Sequence, residues 1–271
     1  MLLLGGVPFV IQPEDRLNPA ERAALARLPR LEAGARTRAR PFRLQIVDAP
    51  PWTGGEAFSP PGPATIHWEE GRLRVRQSHF LAELDPFQAE GRLFRTRTDA
   101  YAVEATLRAG MSSRLPLEGG LPLHAAALVL DGQGLVFFGP SGAGKSTIAG
   151  LHSGPVLTDE AAAVVRADGF SVTTTGFWGT LGRSTAVLQT CPLRALIELD
   201  KGTTFHLMPL DRQETVRRLL GVVMVPAAPP LWTKALGVID ELIRAVPCYR
   251  MAWSPAQPPF DALRQYLTEQ P

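Results

Sequence analysis

Residues 123–146 read LHAAALVLDGQGLVFFGPSGAGKS, and this stretch decides the fold. Two apolar runs, residues 123–130 and 135–138, are separated by the polar, glycine-rich sequence DGQG, which predicts a β-hairpin. The second run leads into a glycine-rich loop, and a short helix-forming segment follows. The strand that delivers this loop is therefore half of an antiparallel pair. In an ordinary doubly wound α/β fold, a helix would precede that strand instead.

The glycine-rich loop matches the pattern G-x-x-x-x-G-K-[ST] in full, and this pattern is typical of phosphate-binding loops. Its glycines allow backbone amides to approach phosphate oxygens, and the N-terminus of the following helix adds partial positive charge. We expect Lys145 to reach the β- and γ-phosphates of ATP and the Ser146 hydroxyl to bind Mg²⁺. The predicted nucleotide-binding residues are Gly139, Pro140, Ser141, Gly142, Ala143, Gly144, Lys145, Ser146 and Thr147.

The composition supports a functional role for the lysine in this loop. Lysine and arginine together number 28, but only Lys145, Lys201 and Lys234 are lysines. The sequence thus uses arginine for general positive charge. A general need for positive surface charge therefore does not explain the lysine inside the glycine-rich loop.

Two carboxylates follow the loop at a position where phosphate transfer needs them. Residues 156–160 read VLTDE, an apolar strand that ends in Asp159 and Glu160. A carboxylate near a phosphate loop holds Mg²⁺ or deprotonates the acceptor. We expect one acid to serve the metal, with Asp159 as the candidate ligand. Either Asp159 or Glu160 can then be the general base, since the sequence alone does not assign the roles.

His124 begins the first strand of the predicted hairpin, among apolar neighbours. Such a histidine is either a core residue or, because its strand pairs with the one that feeds the loop, a residue near the phosphates. We take it as a candidate catalytic residue. The other four histidines show no zinc-ligand spacing, so no zinc site is predicted; they are His67, His79, His152 and His206.

The chain divides into two predicted regions. Residues 1–99 form a small, mostly antiparallel β-rich region of unknown role, with a short helix at 19–26. Residues 100–271 form a larger region that carries the loop and begins with a helix at 100–111. The predicted strands are 42–47, 64–68, 72–76, 92–97, 155–157, 162–166, 170–174, 195–199 and 204–208, in addition to the hairpin. The further predicted helices are 212–223, 231–245 and 259–268.

Composition argues against several function classes. The net charge is only +2, and the basic stretch 30–43 lacks interleaved aromatic residues, so nucleic acid is not expected as a partner. Cys191 and Cys248 lie far apart in apolar surroundings, which favours two buried thiols in a reducing compartment. The apolar residues 1–10 lack a basic leader and are too few to span a bilayer. We therefore expect a cytoplasmic protein without a membrane partner.

The ordered set of motifs resembles the catalytic domain of the HPr serine kinase/phosphorylase family. The set comprises LHAA at 123–126, the hairpin, the loop and LTDE at 157–160, and the resemblance covers roughly residues 100–255. The segments CPLRAL at 191–196, PL at 209–210 and AVPCY at 245–249 are similar to a looser, divergent group of this family. The resemblance implies the phosphoenolpyruvate carboxykinase-like fold, an α/β fold of α+β character in which a hairpin-borne phosphate loop lies on a mixed sheet.

The resemblance also implies roles for individual residues. His124 would lie at the phosphates, Lys145 would contact the transferred group, and Ser146 would bind Mg²⁺. The family's proton acceptor is the second of two aspartates, a position held here by Glu160. No residue matches the family's later metal-binding glutamate or its arginine-bearing loop. Residues 176–179 and Arg183 lie near that loop position, but a turn and a surface arginine explain them equally well.

The predicted function is ATP- and Mg²⁺-dependent transfer of phosphate to a hydroxyl, with serine as the first choice, on a peptide, a protein or a small molecule. The alternative is a nucleotide-sensing module of the same fold that performs no transfer. A third possibility, phosphorylase or carboxykinase chemistry, lacks recognisable substrate-binding arginines. Acceptor specificity is expected from the N-terminal region and residues 176–183. The classical family forms hexamers, but this chain lacks enough of the family's pattern to inherit that state, so an oligomer stays an open alternative.

Overall fold

The computed structural model describes residues 1–32, 37, 39–47, 63–77, 79–96, 100–182 and 187–269. These residues form a mixed α/β structure with a seven-stranded and an eight-stranded sheet. The mixed class was therefore predicted correctly. Six α-helices occur in the described part: α1 (Pro19–Ala26), α2 (Ala100–Arg114), α3 (Lys145–Leu151), α4 (Arg212–Leu220), α5 (Pro229–Ala245) and α6 (Phe260–Glu269). Short 3-10 helices lie at Glu14–Arg16 and Leu115–Glu118.

The first sheet is built from β1 (Leu2–Leu4), β2 (Val7–Gln12), β3 (Phe42–Val47), β4 (Thr65–Glu69), β5 (Arg72–Gln77), β6 (Phe80–Asp85) and β7 (Glu90–Arg95). Its strand order is β1-β2-β3-β7-β6-β5-β4. Strand β3 is parallel to both β2 and β7, and the remaining pairs are antiparallel. The sheet is thus mostly antiparallel, as predicted, but β1, β2 and β6 were missed. In β6 most residues are buried on both faces, so the alternation that signals a strand is weak.

The second sheet is built from β8 (Leu121–Leu130), β9 (Gln133–Phe138), β10 (Val156–Thr158), β11 (Ala161–Ala167), β12 (Gly169–Thr173), β13 (Thr190–Lys201), β14 (His206–Pro209) and β15 (Cys248–Trp253). Its main order is β10-β8-β11-β12-β13-β15-β14, and β9 pairs with both β8 and β13. The predicted hairpin is confirmed: β8 and β9 are antiparallel, and Asp131 and Gly132 adopt positive φ angles in the tight turn between them. Strand β9 is parallel to β13, so the sheet is mixed.

In the second region, one predicted helix ends earlier than expected and one strand was not predicted, both for identifiable reasons. The helix predicted for 212–223 ends at Leu220, because the following residues turn back to the sheet: the His124 amide donates to the Val222 carbonyl, at 2.7 Å, and the Met224 amide to the Pro122 carbonyl, at 2.9 Å. Strand β15 was not predicted as a strand. Its buried residues surround a charged residue, Arg250, which hides the apolar pattern.

A continuous apolar core joins the two sheets through α2. Phe9 and Phe42 of the first sheet stack at a centroid distance of 5.2 Å, and both belong to the same buried cluster as Leu107 of α2 and Leu123 of β8. A Cβ atom at Gly110 of α2 would lie 3.0 Å from the Phe9 ring, so the helix approaches the sheet closely because this residue is glycine. The first sheet and the loop-bearing sheet therefore hold fixed positions relative to α2.

Burial also settles the state of the two cysteines. Cys191 and Cys248 are buried free thiols, as predicted. Burial raises the pKa of Cys191 to about 11 and that of Cys248 to about 12. Both sulfurs are therefore protonated and unreactive at neutral pH.

Within the described residues, no helix combines the length and apolar character that crossing a bilayer requires.

Candidate functional site

The glycine loop, residues 139–146, follows β9 directly. Three of its glycines adopt positive φ angles, which are 150° at Gly139, 78° at Gly142 and 100° at Gly144. A Cβ atom at Gly139 would lie 3.0 Å from the Ala143 side chain, and one at Gly144 would lie 3.1 Å from the Trp253 ring. The loop conformation thus needs glycine both for its backbone angles and for its packing.

Lys145 is the first residue of α3, and its side chain lies against the glycine loop. Its Nζ atom donates hydrogen bonds to the carbonyl oxygens of Gly139, at 3.0 Å, and Pro140, at 3.2 Å. The residue is buried, and burial lowers its pKa. A positive charge is therefore concentrated at the mouth of the loop, where little water screens it.

His124 lies beside this charge. Strand β8 is flanked by β9 and β11, with Ala125 opposite Phe138 and His124 opposite Ala161. His124 is the one exposed residue of β8, but partial loss of water around its ring and then the positive charge of Lys145 lower its pKa. The ring Nδ1 atom is 3.2 Å from the carbonyl oxygen of Glu160. The sheet thus places His124 within the electrostatic influence of Lys145 and in contact with the backbone of Glu160.

Asp159 is buried, with 2% of its surface exposed, and anchors a neighbouring loop. Its Oδ1 atom accepts a hydrogen bond from the Gly179 amide at 2.8 Å, and its Oδ2 atom accepts one from the Leu181 amide at 3.1 Å. We call residues 176–181 the anchored loop. Each carboxylate oxygen already has a backbone partner, so Asp159 has a structural role whatever else it does.

Glu160 differs from its neighbour, because its side chain is partly exposed and pairs with another side chain. Its Oε1 atom accepts a hydrogen bond from Arg108 Nη1 of α2 at 2.5 Å. A Cβ atom at Gly179 would lie 3.2 Å from both Asp159 Oδ2 and Glu160 Oε2, so the two carboxylates converge on this glycine. Of the two acids, Glu160 is the one whose carboxylate is open to a ligand.

Arg108 is a site residue that the sequence did not indicate. It pairs with Glu160 and, at 3.1 Å, with Glu104 one turn earlier in α2, and its guanidinium lies 4.9 Å above the Phe177 ring. The helix was predicted, but its position beside the acid pair depends on long-range packing. Only the Glu104–Arg108 spacing of four residues was visible in the sequence.

The anchored loop is held at several points. Thr158 donates a hydrogen bond through Oγ1 to the Phe177 carbonyl at 2.7 Å, and the same oxygen accepts one from the Glu160 amide at 3.1 Å. Gly176 has a φ angle of 81°, which agrees with the turn expected there. Arg183, the other residue considered in this region, lies outside the described residues.

An ion-pair network lies on the other side of the glycine loop. Glu198 of β13 is buried and pairs in register with Phe138, the residue before the loop. Its carboxylate pairs with Arg250 at 2.9 Å and with Arg218 at 3.3 Å. Two guanidinium groups thus balance the buried charge at the strand position opposite Phe138.

The described residues contain no group of three or more histidine, cysteine, aspartate or glutamate side chains that could hold a metal ion. A metal ion at this site would therefore need ligands besides such side chains, for example hydroxyl, phosphate or water oxygens. Mg²⁺ fits that requirement, because it is commonly bound by one or two protein oxygens together with substrate phosphates and water. Ser146 and Asp159, the two predicted ligands, remain the candidates.

Comparison with known proteins gives one family match. A family model described as SynChlorMet cassette protein ScmC matches residues 106–226, which is less than half of the chain. The matched segment contains most of α2, the hairpin, the glycine loop, the acid pair and the anchored loop. No curated protein matches the chain with significance.

Proposed function

We propose that this chain is a kinase that transfers the γ-phosphate of ATP, with Mg²⁺, to a hydroxyl of a peptide, protein or small molecule. The observation that carries the proposal is the convergence of His124, Lys145 and Glu160 beside a loop of complete G-x-x-x-x-G-K-[ST] sequence. The proposal includes a divergent relationship to the HPr serine kinase/phosphorylase family, with a hairpin-borne phosphate loop. Two buried free thiols support a reducing, cytoplasmic location.

The glycine loop would bind the triphosphate through its backbone amides. The ammonium of Lys145, now bonded to two loop carbonyls, would turn to the β- and γ-phosphates, which are stronger acceptors. Ser146 and Asp159 would hold Mg²⁺, which when bound neutralises charge on the phosphate oxygens. His124, kept neutral by its lowered pKa, would donate a hydrogen bond to a phosphate oxygen without adding charge.

Glu160 is the proposed general base. The acceptor oxygen forms a bond to the γ-phosphorus while the bond to the β–γ bridging oxygen breaks, and the acceptor proton passes to the Glu160 carboxylate. The products are a phosphate monoester and ADP. Arg108 would orient the carboxylate through the 2.5 Å contact. Asp159 would contribute through the anchored loop and through its remaining lone pairs.

Nucleotide binding is tested by replacing the loop lysine. We expect Lys145→Ala to weaken ATP binding roughly 10- to 100-fold, about 1.5–3 kcal/mol, since hydrogen bonds between charged groups are lost. Isothermal titration calorimetry with Mg-ATP measures this directly. Lys234→Ala, on the exposed surface of α5, is the matched control and should bind as the parent does. Unchanged affinity in Lys145→Ala would refute the assignment of the site.

A second function, nucleotide sensing without transfer, is supported by one observation. Both oxygens of Asp159 bond to the anchored loop, so a ligand that draws on this carboxylate would also move that loop. In a sensor, nucleotide would bind with normal affinity, but no acceptor would be phosphorylated. Incubation with [γ-³²P]ATP and a broad set of peptides and metabolites separates the two functions, because only the kinase transfers label.

A further inference from the structure

A cavity of about 620 Å³ opens beside Glu160. It lies between α2, the edge of the first sheet formed by β4 and β5, and residues 224–226. We call it the edge groove. Its walls are mainly apolar and include Ile66, Val75, Ala105 and Val225. A volume of this size holds a drug-sized ligand or several amino-acid residues.

The groove is elongated. The α2 residues that line it are spaced three or four apart, which places them in one stripe along the helix; they are Tyr101, Glu104, Ala105, Arg108, Ala109 and Ser112. A stripe of this length covers about 16 Å at 1.5 Å per residue. An extended peptide rises about 3.3 Å per residue, so about five residues match the groove.

The charges in the groove disfavour an anionic occupant. Arg108 is its positive group, and it already pairs with two carboxylates, Glu104 and Glu160. The three groups together carry a net negative charge. A neutral or cationic segment with apolar side chains therefore fits better than an acidic one.

The rim of the groove offers a place for peptide backbone. Strand β4 is the last strand of the first sheet and pairs only with β5 among the strands that the structure describes. Ile66 of β4 and Tyr101 of α2, both at the rim, are 40% and 44% exposed, which is high for large apolar side chains. An edge strand with apolar side chains beside a groove is the arrangement to which extended peptides add as a further strand.

We propose that the edge groove binds the phosphate acceptor and that the acceptor is an extended peptide segment. Its hydroxyl residue meets Glu160, and apolar or neutral residues on both sides occupy the groove. This inference rests on the proposed kinase function. It also gives the first sheet a role, since β4 and β5 supply one wall of the acceptor site.

The test uses the full chain, Mg-ATP and nine-residue peptides with one central serine. The two residues on each side are leucine and valine in one set, glutamine and glycine in a second, and glutamate in a third. Burial of two or three apolar side chains predicts a kcat/KM at least tenfold higher for the apolar set than for the acidic set. Phosphopeptide is measured by mass spectrometry, and binding of fluorescein-labelled peptide by anisotropy in Mg-ADP. Equal values for the apolar and acidic sets would overturn the inference.

Two variants test whether the peptide binds in the edge groove. Ala105→Phe fills the middle of the groove, and Ile66→Glu puts a negative charge on its exposed rim, where the fold tolerates it. Each should weaken binding of the apolar peptide at least tenfold and leave ADP affinity unchanged. Ala23→Phe, on the exposed face of α1, is the matched control and should bind like the parent. Normal peptide binding by both groove variants would contradict the assignment.

The outcomes distinguish this inference from the proposed function. Apolar peptide that binds in a manner sensitive to Ile66→Glu, but is never phosphorylated, supports the groove and refutes the kinase. Phosphorylation of a small alcohol or free serine, with no binding of any peptide, supports the kinase and overturns the groove assignment. A concentration-dependent dimer in gel filtration that Ala105→Phe abolishes would assign the groove to a second copy and overturn the inference as well.

Discussion

The two sheets bury their residues in different ways. In the loop-bearing sheet, nine of the ten residues of β8 are buried, and β9 is buried on both faces after its first residue. In the first sheet, β3 alternates between buried and exposed residues, and β4 has no buried residue. The contrast is between the central hairpin of one sheet and the edge strand of the other, since β6 of the first sheet is also largely buried. An exposed edge strand tolerates varied side chains better than a strand buried on both faces. This agrees with the proposed roles, phosphate binding at the hairpin and acceptor binding at β4.

The largest effect is expected from removing the carboxylate of Glu160, the proposed general base beside the loop-bearing sheet. Glu160→Gln should lower kcat by about 10²- to 10⁴-fold, the usual contribution of a general base. Nucleotide affinity, measured by calorimetry, should stay within twofold of the parent. Glu104→Gln also removes a carboxylate that pairs with Arg108 and is the matched control; because Glu104 lines the edge groove, KM for the acceptor can change, but kcat at saturating acceptor should stay close to that of the parent. Equal losses in the two variants would assign the effect to Arg108 rather than to a base.

Cavity-forming substitutions test the difference in rigidity. Phe137→Ala in β9 should cost about 3–5 kcal/mol of unfolding free energy, because the ring is fully buried. Ile66→Ala at the edge of the first sheet should cost less than about 1 kcal/mol, since the side chain is 40% exposed. Urea unfolding of both variants measures the costs. Comparable costs would remove the proposed distinction between the sheets.

The glycine loop itself should tolerate little change. Gly144→Ala should cost about 1–3 kcal/mol, because its φ angle of 100° is strained for alanine and the added methyl group would lie 3.1 Å from Trp253. Gly71→Ala, in the turn between β4 and β5, is the control. Its φ angle is also positive, but nothing lies within 4 Å of the added methyl. The difference between the two variants in urea unfolding isolates the packing component in the loop-bearing sheet.

The smallest expected effect concerns His124. Its pKa should lie below 6.5, because burial and the Lys145 charge disfavour the protonated ring. As the pH falls below 6.5, the unfolded chain takes up this proton before the folded chain does. The contribution of His124 to stability is therefore full above 6.5 and is lost as the pH falls toward the folded pKa. NMR titration of the ring signal, assigned with His124→Gln, measures the midpoint.

The same titration in Lys145→Met should give a higher midpoint, since one positive charge is gone. A midpoint at or above 6.5 in the parent, or no change in Lys145→Met, would contradict the arrangement of His124 beside the lysine.

Local patterns were enough to predict the hairpin and most elements of the loop-bearing sheet. The apolar runs on either side of Asp131-Gly132 and the turn itself are local signals, so β8 and β9 were found within two residues at each end. The parallel pairing of β9 with β13, and the strand β15 beside it, depend on distant residues. Such pairings have no local signature in a single sequence.

For the candidate site, the sequence indicated the residues but not their surroundings. The glycine loop, His124 and the acid pair stand out as residue types in a pattern, but the different surroundings of the two acids do not. Asp159 is buried by the anchored loop, twenty residues later in the chain, and Glu160 is paired by Arg108, fifty-two residues earlier. These contacts arise only when the anchored loop and α2 pack against β10 and β11.

The continuous core through α2 has a consequence for how this protein can change in evolution. Because Phe9, Phe42 and Leu107 share one core with Leu123, the first sheet cannot be exchanged as an independent module without exposing α2. Strand β4 is less constrained, because it has no fully buried residue, although Trp68 packs against this core. In the proposed kinase, new acceptor preferences would arise by substitution along this edge strand, while the proposed catalytic residues are kept. A combinatorial library confined to Thr65–Glu69 samples the same route in the laboratory.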